Sequence, residues 1–251
     1  MSFQYVKDEP EIAEEFGPAV VPKFPLYTAI LIACIAAVFA SQLIFGDGLG
    51  SLLLGDSHSA RAAGFDKLRF YKYHEYWRIL TGATVHGGLI HAGMNCYAFY
   101  SFGRVMEMLA NRAHVAIVFL LAAIGGGILS LIFLPGATSV GASGGIVGLI
   151  GYLAVYAFRR RDFISKDFRR GLIFNIGFIF LYGLALYQVI DNFGHLGGLI
   201  TGAIYGFVSI PSDPYVDPRD ASAATRVFGL GALLIFIATS VLSILLIANF
   251  S

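Results

Sequence analysis

Long apolar runs recur along this 251-residue chain, at 26–45, 89–109, 115–134, 143–158, 172–189, 194–210 and 227–247. A bilayer demands such runs, because its hydrocarbon layer is about 30 Å thick, and a soluble core cannot absorb so many of them. Composition agrees: 57% of residues are hydrophobic, 13% are charged, and the mean hydropathy is +0.74. The sequence therefore predicts an all-α polytopic membrane protein with seven spans.

The formal net charge is +1 and no long basic or acidic block occurs, which argues against nucleic acid as a partner. Cys34 and Cys96 both fall inside apolar runs, where cysteine behaves as a small buried hydrophobe. Residues 1–25 carry Glu9, Glu11, Glu14 and Glu15 with four prolines and read as a solvated tail without signal-peptide character. The connection 46–81 holds the cluster Phe70 to Arg78, rich in tyrosine and basic groups, which suits the headgroup layer.

Arg159, Arg160, Arg161, Lys166, Arg169 and Arg170 crowd the connection between the fourth and fifth spans, whereas those before spans four and six hold no basic residue. The positive-inside rule makes the connection between spans four and five cytoplasmic. The N-terminus then lies inside and the C-terminus on the opposite side, and spans two, four and six all run inward. The basic residues of the long first loop go against the rule, which is weaker for long loops.

That topology brings polar residues to one depth: His86, His91 and Asn95 at the start of span two, Ser143 at the start of span four and His195 at the start of span six. Taken singly, such a serine, histidine or asparagine is more often helix–helix glue. At a shared level they more often line a watery cavity. Gly194, Gly198, Gly202 and Gly206 form a smooth ridge on span six, and Gly144, Gly148 and Gly151 a matching one on span four. His195 shares the face of Gly198 and Gly202, so packing of the two ridges would bring it to Ser143.

A serine becomes a nucleophile when a base takes its proton, and a neutral imidazole can do this. Asn95, His91 and the Ser143 N–H could stabilise a developing oxyanion. Asp191 is the nearest carboxylate in sequence and is not placed to complete a triad, so a Ser143–His195 dyad is expected. Span four, at 16 residues, makes a helix of about 24 Å, which sets Ser143 below the membrane surface.

The chain resembles the rhomboid family of intramembrane serine proteases. The resemblance rests on Trp77-Arg78, on His86 with His91 to Asn95, on Gly141-Ala142-Ser143-Gly144, and on Gly194-His195 with Gly198 and Gly202. It implies a six-helix core at 26–210, preceded by a cytoplasmic tail at 1–25, followed by a linker at 211–226 and an additional C-terminal helix at 227–251. It further implies Ser143 as nucleophile, His195 as base, His91 and Asn95 on the oxyanion side, and His86, Gly141, Gly144, Gly198, Gly202, Trp77 and Arg78 in support. The implied partners are transmembrane protein substrates and membrane lipid, without metal or cofactor, and in a bacterium the implied location is the inner membrane. Two departures stand out: Val147 occupies a position where the family often has an aromatic residue over the histidine, and the seventh span exceeds the minimal fold. The alternatives are a catalytically silent rhomboid relative that binds clients, and a seven-span transporter or receptor. No zinc motif and no aspartate pair at matching depth supports another intramembrane protease.

Overall fold

A computed structural model describes residues 24–46, 57–213 and 215–250. Most of the expected tail at 1–25, and the last residue of the C-terminal segment expected at 227–251, lie outside the described residues. Seven long helices dominate: α1 (Leu26–Phe45), α5 (Leu89–Leu109), α6 (Arg112–Phe133), α7 (Ser143–Arg159), α8 (Lys166–Ala185), α9 (Asn192–Ser209) and α10 (Ala223–Asn249). The first connection contributes the short helices α2 (Ser57–Ala63), α3 (Lys67–Lys72) and α4 (Arg78–Thr81) and the strand β1 (Phe65–Asp66), which pairs antiparallel with β2 (Thr138–Ser139).

The apolar runs set the helices, and polar caps set their ends. Asn111, Ser165, Asp191 and Ser222 each accept a main-chain N–H in the first turn of α6, α8, α9 and α10, which satisfies donors that a helix leaves orphaned. These caps explain where expectation and structure differ. α8 starts at Lys166 and ends at Ala185, rather than spanning 172–189, because Ser165 opens a helix through the basic stretch. α10 gains four residues at its start from Ser222.

Four helices are long and apolar enough to cross a membrane on length and composition alone: α1, α6, α8 and α10. The other three, α5, α7 and α9, are those that carry Asn95, Ser143 and His195. Polar and glycine residues reduce the hydropathy of α5 and α9, whereas α7 is apolar but short; α7 packs against α9, α6 and α5, so that 11 of its 17 residues are buried. By contrast, only Leu172 and Gly183 of α8 are buried. The seventh helix, α10, lies against α1 and α6.

The main core runs through Phe99, Phe119, Tyr152 and Phe236, with the Phe99 and Phe119 rings stacked at 4.6 Å. A smaller core of Val38, Ala62, Ala63, Val85 and Ile247 joins α1, α2 and α10. Buried polar groups lace the bundle together. Glu107 on α5 accepts both the N–H and the hydroxyl of Thr28 on α1 at 2.7 Å, and Arg160 donates to the carbonyls of Pro211, Asp213 and Val216.

α7 and α9 pack backbone against backbone. A Cβ at Gly198 would collide with the Gly144 carbonyl, and one at Gly202 with the Gly148 carbonyl. Gly202→Leu is therefore expected to destabilise the fold by about 1–3 kcal/mol or more. Gly177→Ala on α8, where a Cβ meets nothing within 4 Å, should be neutral or mildly stabilising. Thermal unfolding in detergent micelles checks the pair, and equal melting temperatures would refute this account of the contact.

Candidate active site

Gly141 takes a φ of +121°, a backbone conformation that side chains disfavour. Its N–H donates to the Gly82 carbonyl at 2.9 Å, and a Cβ there would lie 2.8 Å from Nε2 of His91. The turn delivers Ser143 to the first position of α7.

His195 lies in the first turn of α9, and its Nε2 is 2.8 Å from the Ser143 hydroxyl. Gly144 faces the Gly194 carbonyl across the same contact, so the glycine ridges and the Ser–His distance are one geometric fact. The pair borders a cavity lined by Phe65, Ile79, Val140 and Asp191. The Asp191 carboxylate instead caps α9 by accepting the Gly194 N–H at 2.8 Å. Among the described residues Nδ1 of His195 has no hydrogen-bond partner, so no carboxylate completes a triad.

Asn95 is 6% exposed, and its Nδ2 is buried without a partner among the described residues. An unpaired donor in a native interior is costly. His91 takes the Gly87 N–H on Nδ1 at 3.3 Å and packs edge-on against His86, with ring centroids 5.2 Å apart.

His86 is buried, and its partners fix its tautomer. Nδ1 faces the Thr84 carbonyl at 3.1 Å, which only accepts, and Nε2 faces the Ala142 N–H at 3.5 Å, which only donates. The ring is therefore neutral with its proton on Nδ1, and burial pushes its pKa down to about 3. His86 thus holds the residue before Ser143.

The supporting residues are divided. Arg78 is 3% exposed, donates to the Gly64 carbonyl at 2.8 Å and pairs with Glu75, which pins the first connection. Trp77 is exposed at the start of α4. Gly198 and Gly202 lie on the ridge described above. Several contributors escaped sequence reading. Gln42 on α1 grips the main chain of His86 with two hydrogen bonds, at 2.8 and 2.9 Å. The Thr84 hydroxyl lies 2.8 Å from that of Ser243 on α10. Gln42 had a signal in being the one amide of span one; Lys67, Ser130 and Ser139, which surround Asp191, had none.

Known proteins share much of this sequence. Residues 73–212 match the model of the Rhomboid domain. The chain is 30% identical over 173 residues to "RHOMBOID-like protein 6, mitochondrial" of Arabidopsis thaliana, covering 67% of this chain and 56% of that protein. It is 36% identical over 128 residues to "Rhomboid protease GluP" of Bacillus subtilis, covering 51% and 25%. It is also 28% identical over 137 residues to "Inactive rhomboid protein 1" of Rattus norvegicus, covering 55% and 16%. The chain spans about half the length, or less, of these relatives.

Neutral burial of His86 has a pH signature. Below the ordinary histidine value of 6.5 the unfolded chain takes up a proton that the folded chain refuses until about pH 3. Stability is therefore lost as pH falls through that window, by up to about 1.4 kcal/mol per pH unit from this group. The unfolding free energy of His86→Gln should fall less steeply between pH 6.5 and 4 than that of the parent. Parallel pH profiles would show that His86 is not the source.

Proposed function

Because the chain belongs to the rhomboid family, we propose that it is an intramembrane serine endopeptidase that cleaves transmembrane protein segments with a Ser143–His195 dyad. The observation that carries this reading is the 2.8 Å approach of the Ser143 hydroxyl to His195 Nε2 at the edge of a cavity. Relatives named as a protease and as inactive both occur, and the retained serine–imidazole pair favours the active member of that choice. A silent client-binding protein has no chemical use for such a pair.

In this mechanism Ser143 Oγ attacks the carbonyl carbon of the scissile bond while Nε2 of His195 takes the hydroxyl proton. The developing oxyanion is met by Asn95 Nδ2, by His91 and by the Ser143 N–H. As the C–N bond breaks, His195 gives its proton to the leaving amine, and Ser143 is left as an ester. Water then gives a proton to His195 and attacks the ester carbonyl. The acid departs, and the proton returns to Ser143. No metal or cofactor enters these steps.

The same reading assigns 26–210 to the protease core, with 1–25 a cytoplasmic tail, 211–226 a linker and the C-terminal helix an addition. The N-terminus is cytoplasmic and the C-terminus lies on the other side, in the inner membrane if the host is bacterial. Lipid surrounds the bundle and delivers substrate.

A serine-directed phosphonate should label the purified protein at Ser143, and the label should vanish in His195→Ala. Ser143→Ala should fold normally and fail to cleave a transmembrane reporter, and Asn95→Ala should lose about 10²–10³-fold in kcat. Cleavage by Ser143→Ala at the parent rate, or labelling only at other serines, would reject the mechanism and leave the client-binding reading.

A further inference from the structure

His195 has little of its own to fix its ring. Nε2 faces Ser143, Nδ1 is buried without a partner, and among the described residues no aromatic ring stacks on it; the ring contacts of histidine fall on His58, His74, His86, His91 and His114. Val147 is buried nearby in α7 and supplies no ring. The direction of the imidazole therefore depends on how the first turn of α9 is held.

Asp191 holds that turn. Its Oδ1 accepts the Gly194 N–H at 2.8 Å and its main-chain carbonyl accepts the His195 N–H at 3.1 Å. Its Oδ2 accepts the hydroxyls of Ser139, at 2.5 Å, and Ser130, and lies 3.8 Å from Lys67 Nζ. Lys67 is fully buried, donates to Ser139 at 2.5 Å, and lies over the Phe65 ring. A buried ammonium persists only with partners. Burial lowers the pKa of Lys67, while the Asp191 and Asp66 carboxylates favour its charged form. The cluster joins four segments: the first connection, α6, β2 and the start of α9.

We propose that Asp191 is a positioning residue for His195: clamped by Lys67, Ser130 and Ser139, its carboxylate caps α9 and sets the depth and direction at which the imidazole meets Ser143. The proposal rests on the Ser143–His195 dyad. Asp191 does not touch the reacting atoms and is not a third member of a triad, because Nδ1 has no partner. It acts through the backbone, four residues from the imidazole.

The test uses full-length protein in detergent micelles, with Asp191→Ala, Lys67→Met and the double variant Lys67→Met/Asp191→Asn. Asparagine caps a helix about as well as aspartate, so the double variant removes both charges and keeps the cap. For Asp191→Ala, kcat on a transmembrane reporter should fall by about 10²-fold with KM changed less than about twofold, the size of loss that misplacement of a catalytic group causes. The double variant should recover to within about threefold of the parent, an outcome that its retained cap allows. A second readout is independent of turnover: the imidazole ¹⁵N signals of His195, assigned with His195→Gln, should move in Asp191→Ala and return in the double variant. Should Asp191→Ala fail to fold, Lys67→Met, which keeps the cap and the two hydroxyls but strips the Asp191 carboxylate of its counter-charge, is compared with the double variant in the same way. Unmoved signals in Asp191→Ala, or a loss of rate that the double variant does not recover, would overturn the proposal. If the parent neither cleaves nor reacts with the phosphonate while the signals respond as expected, the dyad reading fails and the positioning does not.

Discussion

The structure depends on how closely two helices can approach. At Gly198 and Gly202 a single added carbon would strike the carbonyls of Gly144 and Gly148, so α7 and α9 pack backbone to backbone. Without a hydrophobic drive between helices in lipid, packing and polar contacts hold such a pair together. The 2.8 Å distance between Ser143 and His195 is inherited from that contact. Both residues lie in the first turn of their helices, and two helices in register along a glycine ridge must bring their first turns together. The chemistry of the site is therefore set largely by an absence of side chains.

The remaining parts of the site are held from outside this pair. α5 supplies Asn95 and His91, and their side is supported by His86, which the main-chain grip of Gln42 fixes from α1. Arg78 and Lys67 reach into the bundle from the first connection, one pinning the Gly64 carbonyl and the other reaching Asp191. A loop that reads in sequence as an interfacial skirt is thus also a brace, and the β1–β2 pairing ties it to the segment leading into Gly141. Phe70 packs edge-on against Tyr71 and Tyr76, which are exposed on that loop.

How much of this was legible follows from the range of each interaction. The long helices were visible because a run of apolar residues is a local property, and the start of α7 at Ser143 and α5 at Leu89–Leu109 match the expected bounds. The meeting of Ser143 and His195 was visible because two glycine ridges have a period that can be read along the chain. Helix ends were less visible: the starts of α8 and α10 were displaced by single serine caps that look like any loop serine. The Lys67 cluster was invisible, since its members come from positions 67, 130, 139 and 191. Lysine in a loop reads as solvated, and only the folded chain shows that it is covered.

The last long helix, α10, is integral to the packing of the bundle. It lies on α1 and α6, and Gly229 rests against the main chain of Ala113. At its far end Ile247 enters the small core with Val38, Ala62, Ala63 and Val85. One turn earlier, the Ser243 hydroxyl meets Thr84, whose carbonyl faces His86 Nδ1. His86 in turn faces the N–H of Ala142, the residue before Ser143. A chain of contacts therefore runs from α10 to the first turn of α7 through neutral, hydrogen-bonded groups. The packing of α10 and the placement of His86 are therefore parts of one structural problem.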